Sequence, residues 1–311
     1  NLFILRYPHN LISYLITQNF YINCNDIMLK IALKIAYLGI DFYGFARQPG
    51  LPTVEGELIK ALTESGIIDN PSDAGYSIAG RTDRGVHALG NVIAFRTESK
   101  INVNQINDLL PASIKVLAQA SVHYGFKPRF ARQRHYRYLI AKNPFGENLD
   151  VERMKEAAGL FIGTHDFRNF TKRSERNPRR NIDHLQVRDA GEIIFFDVKG
   201  ESFLWNMVRK IITVLINVGQ GEIDTNDINE FLNPQEKVFI TPAPPEGLIL
   251  MDVTYDKLKF VEDPYARKLF LSVLMKNYMN TRTHSAAYLE MMENLDYNEN
   301  YISPLFNDLK V

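Results

Sequence analysis

Short segments with the period-two pattern of β-strands recur through residues 29–198, and only three helical segments interrupt them. Regular alternation of strand and helix would indicate a parallel sheet, and this chain lacks it. We therefore predict an α+β fold with a largely antiparallel sheet, helices packed on one face and the other face left for a ligand. The predicted strands cover residues 29–37, 76–79, 91–95, 115–123, 134–141, 182–187 and 193–198.

Four segments have helical patterns, and the strongest is residues 202–219. In that segment Leu204, Ile211 and Leu215 belong to one broad apolar face, whereas Asn206 and Arg209 lie on the polar side. We predict one amphipathic helix over the whole segment. The other predicted helices cover residues 53–66, 103–110 and 151–161.

The predicted elements form two halves of similar outline, residues 28–125 and 126–263. Residues 264–311 read as a charged helical tail, a peripheral appendage or a partner contact. Polar residues interrupt the apolar runs of residues 1–27, a pattern that fits neither a signal peptide nor a membrane span. The first methionine is Met28, and we expect the native chain to start there.

Composition limits the possible classes of function. The single cysteine, Cys24, excludes a disulfide framework and a cysteine-built zinc site, so no metal is expected, and it fits a reducing cytoplasm. The net charge of zero argues against a uniformly basic surface. The charges are segregated, however, because residues 109–146 contain no acid and residues 168–182 contain only Glu175 among many basic residues. Such a basic face can contact phosphates, although a solvated loop has the same composition.

The segment Ala-Gly-Arg-Thr-Asp-Arg-Gly-Val-His-Ala places Asp83 between Arg81 and Arg84, in a loop between two predicted strands. Nearby positive charge favours an ionised carboxylate, and the flanking Gly80 and Gly85 allow a tight turn and a close approach of a ligand. An ionised, accessible Asp is a candidate nucleophile. The same pattern also occurs in ordinary turns in which Asp binds its own backbone.

Six segments in order resemble the TruA-type tRNA pseudouridine synthases, and the resemblance covers about residues 31–255. It implies the pseudouridine synthase fold, a homodimer in the cytoplasm, and catalysis without cofactor or metal. The implied substrate is uridine at positions 38, 39 and 40 of the tRNA anticodon stem-loop. The segments are Ile-Ala-Tyr-Leu-Gly-Ile-Asp-Phe-Tyr-Gly-Phe at 35–45, the Asp83 segment at 79–88, Arg-His-Tyr-Arg-Tyr at 134–138, Gly-Thr-His-Asp-Phe at 163–167, Ser-Phe-Leu-Trp-Asn-Met-Val-Arg at 202–209 and Ala-Pro-Pro-Glu-Gly-Leu at 243–248.

The resemblance assigns roles to three residues from separate elements. Asp83 is the nucleophile, which attacks either C1′ of the ribose or C6 of the uracil. Arg209 pairs with Asp83, unless it is a solvent-facing helix residue. Tyr136 stacks on the flipped base or accepts the C5 proton, unless it is an ordinary half-buried sheet residue.

Further arginines are expected to contact the RNA. Arg81 takes the place vacated by the target base or guides its extrusion, because a base inside a stem cannot reach a buried Asp until it flips. The other candidates for RNA or phosphate contact are Arg84, Arg173, Arg176, Arg179 and Arg180. We expect His87 and His165 to pack or bond within their loops, because no third ligand lies at a spacing typical of a metal site.

The chain departs from the family at Phe45–Gln48, where many relatives have Trp and Gln, and at Trp205, where a smaller or polar residue is common. We expect neither departure to touch the catalytic residues. Two other functions stay open: a pseudouridine synthase acting on other tRNA positions, and a non-catalytic RNA-binding relative.

Overall fold

The computed structural model describes residues 29–142, 149–172 and 176–295. The predicted start at Met28, the residues before it, Arg173 and the last sixteen residues, 296–311, lie outside the described residues. Within the described ranges the strands are β1 (Leu29–Tyr37), β2 (Ser77–Ile78), β3 (His87–Thr97), β4 (Ile114–Ser121), β5 (Gln133–Ala141), β6 (Gly163–Asp166), β7 (Arg179–Asp189), β8 (Ile193–Gly200), β9 (Leu248–Thr254) and β10 (Val261–Glu262).

These strands form one 10-stranded sheet in the order β10-β4-β1-β3-β9-β5-β8-β7-β6, with β2 paired to β3. The described pairs are antiparallel apart from β3 and β9, which run parallel with His87 opposite Ile249. This parallel pair joins the early strands to the late ones in the middle of the sheet. The mixed, mostly antiparallel sheet confirms the predicted α+β class.

The helices in the described ranges are α1 (Val54–Glu64), α2 (Val103–Leu109), α3 (Val151–Leu160), α4 (Met207–Gly219), α5 (Ile228–Phe231) and α6 (Pro264–Asn294). Thr53 caps α1, since its hydroxyl oxygen accepts the Gly56 N–H at 3.2 Å. The apolar face of α4 is buried and packs against α3, which in turn covers β7. In the described residues, α6 is the longest helix, and it contacts β4 and α2 near its start.

The predicted helix over residues 202–219 is wrong at its start, because α4 begins at Met207. Asn206 has a φ of 67°, a left-handed conformation that cannot continue a right-handed helix. The five residues 202–206 therefore form a non-helical connection from β8. Sequence periodicity alone misses this because the apolar spacing runs on unbroken through the turn.

Strand β9 was not predicted from the pattern. Its sequence Leu-Ile-Leu-Met-Asp-Val-Thr is a nearly continuous apolar run without alternation. Such runs are typical of strands enclosed by neighbours and covered on both faces, and β9 lies between β3 and β5 at the centre of the sheet. Within the described part of the chain, none of the helices combines the length and apolarity that a membrane crossing requires.

Candidate active site

Asp83 lies in the connection between β2 and β3, beside the centre of the sheet. Its Oδ2 accepts a hydrogen bond from Nη1 of Arg209 at 3.2 Å, and its Oδ1 accepts one from Nε1 of Trp205 at 2.8 Å. Both carboxylate oxygens are therefore held by side-chain donors. The Asp83 side chain is 31% exposed and that of Arg209 is 12% exposed, so the pair remains open to a ligand on one side.

The expectation that Trp205 would not touch the catalytic residues is wrong. The left-handed turn at Asn206 gives the segment before α4 its own path. Trp205 reaches Asp83 directly from that segment.

Arg209 is fixed by more than its ion pair. It lies in the first turn of α4, and its Nε donates to the carbonyl of Ala243 at 2.5 Å. Its own carbonyl accepts the Ala243 N–H at 3.2 Å, so the two residues bond in both directions. The guanidinium thus bridges Asp83 and the chain leading to β9. The positive end of α4 also favours a carboxylate at this position.

Tyr136 lies on β5 with only 9% of its surface exposed. Its ring packs edge-to-face on Phe203, with 5.3 Å between ring centres and 88° between planes. Burial raises the pKa of the Tyr136 hydroxyl, the negative charge of Asp83 acts in the same direction, and Arg134 opposes both. The side chain is consequently a neutral phenol at neutral pH.

Asp83, Tyr136 and Arg209 line one cleft of about 740 Å³, although they come from a loop, a strand and a helix. Arg81 is exposed on the wall of this cleft. Arg84 also lines it, with its guanidinium 4.4 Å above the ring of Tyr43. The cleft therefore combines an ion-paired carboxylate, aromatic faces and positive charge, which suit a planar base attached to phosphate.

The loop that carries Asp83 is braced by residues 37–45, a role that sequence reasoning missed. The Phe45 N–H donates to the carbonyl of Thr82 at 3.0 Å, and the Gly85 N–H donates to the carbonyl of Gly39 at 3.2 Å. The hydroxyls of Tyr37 and Thr82 are 2.8 Å apart and buried. These bonds fix the backbone on both sides of Asp83.

Gly85 does not provide the room for a ligand that the sequence suggested. Its φ is +85°, and a Cβ there would lie 2.9 Å from Cγ of Pro245. The position thus requires glycine for its backbone conformation and for contact with the turn at Pro245–Gly247. A Cβ at Gly80 would meet only Nε of Arg134, at 4.0 Å, and so that side of the loop is open.

Arg134 is a further organising residue that sequence reasoning did not single out. Its buried guanidinium donates to the carbonyls of Ala79 at 2.7 Å, Arg129 at 2.9 Å and Glu201. Arg134 thereby connects the start of the loop that carries Asp83 with the segment that carries Trp205. The signal was its place on the same buried face of β5 as Tyr136.

The predicted phosphate-binding arginines differ in their surroundings. Arg176 and Arg179 are exposed. Nη1 of Arg180 instead donates to the carbonyls of Asn177 and Arg179, both at 2.8 Å, so this side chain supports its own loop. Arg173 lies outside the described residues.

His165 bonds within its own segment as expected, whereas His87 is the first residue of β3 and bonds to Gly39, outside its own loop. Nδ1 of His87 accepts the Gly39 N–H at 3.2 Å, and burial lowers the pKa of this imidazole. Nε2 of His165 is 2.9 Å from the carbonyl of Ile162. Across the described ranges, no group of three or more candidate metal ligands comes together.

Comparison with known proteins finds close similarity over most of the chain. A family model described as tRNA pseudouridine synthase matches residues 157–256. The tRNA pseudouridine synthase A of Methanothermobacter thermautotrophicus is 50% identical over 269 residues, which is 86% of this chain and 97% of that protein. The enzyme of the same name from Methanosphaera stadtmanae is 48% identical over 256 residues, 81% of this chain and 93% of that protein. That from Methanobrevibacter smithii is 42% identical over 288 residues, 86% and 98% of the two chains.

Proposed function

Because the chain belongs to the TruA-type tRNA pseudouridine synthases, which are isomerases acting on tRNA, we propose that it modifies uridines 38, 39 and 40 of the anticodon stem-loop with Asp83 as nucleophile. The observation that most supports this proposal is the Asp83–Arg209 ion pair in the cleft, with Tyr136 beside it. Pseudouridine keeps every heavy atom of uridine, so the reaction needs no group donor.

The reaction breaks the bond between N1 and C1′, turns the uracil, and joins C5 to C1′. Asp83 attacks either C1′ or C6, and in both cases its carboxylate leaves again when the new C–C bond is complete. The C5 proton is then lost and N1 gains one. Arg209 holds the carboxylate in one orientation through this sequence.

Tyr136 supplies a neutral aromatic face at the bottom of the cleft. Its raised pKa disfavours a free phenolate as the base for the C5 proton, and its aromatic ring is suited to stacking on the flipped uracil. A role as that base therefore requires that bound RNA first lower the pKa of the hydroxyl.

The positive charge for RNA comes from Arg81 and Arg84 at the cleft wall, and from Arg176 and Arg179 in the basic stretch of residues 168–182, here called the basic loop. We propose that Arg81 takes the place of the flipped base and that the others bind phosphates, which give affinity and register. The carbonyl bonds of Arg180 make it the weakest of these candidates, and Arg173 keeps its proposed role from the sequence.

The decisive experiment uses tRNA with tritium at C5 of its uridines. Wild-type protein should release tritium to water, because the C5 proton must leave, and Asp83→Ala should release none while binding tRNA nearly as well. Asp256→Ala is the matched control, because Asp256 is 74% exposed and outside the cleft. Turnover by Asp83→Ala would exclude this nucleophile, and binding without turnover by the wild type would favour the RNA-binding alternative.

Mapping of pseudouridine in single-site variants of one tRNA tests the target positions. Replacing uridine 38, 39 or 40 with cytidine should remove the product at that position only. Product elsewhere in the tRNA would favour the alternative in which the enzyme acts on other positions. A cytoplasmic location and the division into halves 28–125 and 126–263 are parts of the same proposal.

We also propose that the protein is a homodimer and that α6 is the surface that joins the copies. Beyond the buried Phe270 this helix is largely exposed, including Leu271 and Tyr288, which are 58% and 65% exposed. Several of its apolar residues form pairs at equal distances from Thr283, which is compatible with antiparallel pairing of two identical helices. The pairs at equal distances from Thr283 are Leu271 with Leu295, Leu274 with Met292, and Tyr278 with Tyr288.

Cysteine crosslinking tests this pairing in a background in which Cys24 is replaced by Ser. Thr281 and Ser285 flank the symmetry point, so an equimolar mixture of T281C and S285C proteins should form a disulfide-linked dimer. The T281C protein alone should stay uncrosslinked. Crosslinking of T281C alone would indicate a parallel pair, and a monomer in sedimentation would refute the dimer.

A further inference from the structure

Trp205 is the only tryptophan of the chain and contacts the proposed nucleophile. Its indole N–H donates to Oδ1 of Asp83 at 2.8 Å, while Arg209 holds Oδ2 at 3.2 Å. The two donors approach different oxygens, so together they fix the rotation of the carboxylate plane. That rotation is otherwise soft, because the terminal torsion of Asp is broad and roughly two-fold.

The backbone around Trp205 is shaped for this contact. Asn206 takes a left-handed conformation, which is unfavourable for residues other than glycine and is tolerated best by Asn and Asp. Such conformations persist where the surrounding structure enforces them. Here the turn separates the Trp205 segment from α4 and lets Trp205 and Arg209 meet the two oxygens of one carboxylate.

The same indole is connected to the basic loop. Nζ of Lys172 lies 4.9 Å from the centre of the Trp205 ring, and the Lys172 N–H donates to the Trp205 carbonyl at 3.2 Å. The buried Lys210 on α4 donates to the carbonyls of Asn169 and Thr171, at 3.1 and 3.0 Å. Residues 169–172 of the basic loop are thereby fixed to Trp205, which contacts Asp83, and to the start of α4.

We propose that Trp205 is a positioning residue for pseudouridine formation, which orients Asp83 through Oδ1 and links this orientation to the basic loop. This inference rests on the proposed function of Asp83. Because Asp83 is 31% exposed, water can replace the lost donor in a variant, and the oxygen would not be left without a partner. Loss of the indole N–H should therefore lower the rate of the reaction much more than it lowers stability.

Steady-state kinetics with tritiated tRNA test this role. Trp205→Phe keeps an aromatic ring but removes the donor, and we expect kcat to fall about tenfold or more, as misplaced reacting groups do, with KM changed less than about twofold. Trp205→His restores a ring N–H and should recover part of the rate. Phe239→Leu, at a side chain that is 90% exposed and outside the cleft, is the control. An unchanged kcat, or a raised KM alone, would overturn the positioning role and indicate a surface that only stacks on RNA.

Fluorescence of the tRNA-free protein tests the contact itself, because all tryptophan emission comes from Trp205. Asp83→Ala should shift the emission, since the indole loses its charged acceptor, whereas the control Asp256→Ala should leave it unchanged. If the wild-type protein is active and the Asp83→Ala spectrum is unshifted, the role of Trp205 is overturned while the proposed function stands. Absence of turnover in the wild type would overturn the proposed function together with the catalytic role of Trp205.

Discussion

Replacement of Arg209 by Lys should weaken both stability and turnover, although the positive charge is kept. The guanidinium bridges Asp83 and the carbonyl of Ala243, whereas an ammonium group on a flexible stem can satisfy one of them. Losing one hydrogen bond that involves a charged group costs about 1.5–3 kcal/mol, and at 12% exposure water replaces little of it. We expect the free energy of unfolding to fall by about 2 kcal/mol. An equal loss in the transition state would lower kcat by roughly thirtyfold.

Urea unfolding followed by circular dichroism measures the fall in the free energy of unfolding, and tritium release measures the fall in kcat. Arg132→Lys is the matched control, because its ion pair with Asp256 joins side chains that are 72% and 74% exposed and should contribute less than about 1 kcal/mol. In a double-mutant cycle, Asp83→Ala and Arg209→Lys should show a coupling energy of about 1 kcal/mol. Wild-type stability and turnover in Arg209→Lys would refute the argument that the fork geometry is needed.

Two further predictions concern the backbone and pH. Asn206→Gly should leave thermal stability and turnover nearly unchanged. Asn206→Val should lower the free energy of unfolding by about 1–2 kcal/mol, because a β-branched residue is strained at positive φ. Equal losses in the two variants would show that the Asn side chain matters instead. Burial lowers the pKa of His87, so the unfolded chain binds the proton more readily, and stability present at neutral pH should be lost as the pH falls below about 6.5. His87→Asn, which keeps an acceptor for Gly39, should flatten this decline in urea unfolding at pH 7 to 5, and an unaltered slope would contradict the assignment.

Local patterns predicted much of the sheet, because period-two alternation reports which side of a strand is covered. Arg134, Tyr136 and Tyr138 are buried on one face of β5, whereas His135 and Arg137 on the other are half-buried and share Asp197. The parallel pairing of β3 with β9 was beyond such patterns, since it depends on partners far apart in the chain. The start of α4 was missed for a different reason: a left-handed residue changes direction without changing the apolar spacing.

The site was predicted less evenly than the fold. The local segment indicated Asp83 as a candidate nucleophile, the family resemblance added Tyr136 and Arg209, and the structure places all three around one cleft. The contact of Trp205 with Asp83 joins two segments that lie far apart in the chain, and the path of the Trp205 segment depends on the turn at Asn206, so helical periodicity alone did not show it. Helical spacing places side chains only within the helix, and Trp205 lies before α4 begins.

Buried polar groups hold the loop that carries Asp83 in place, and no periodicity in the sequence indicates them. The hydroxyl of Tyr37 is 2.8 Å from that of Thr82 and accepts the Asn91 amide at 3.2 Å, and the same amide donates to the Gly80 carbonyl at 3.0 Å. Leaving any of these groups unpaired in the core would cost about 1–3 kcal/mol, so the network holds the loop in one conformation. Folding thereby places the backbone of Asp83 before RNA arrives. The Asp83 side chain could still rotate, and Arg209 and Trp205 restrict this rotation by each binding one of its two oxygens.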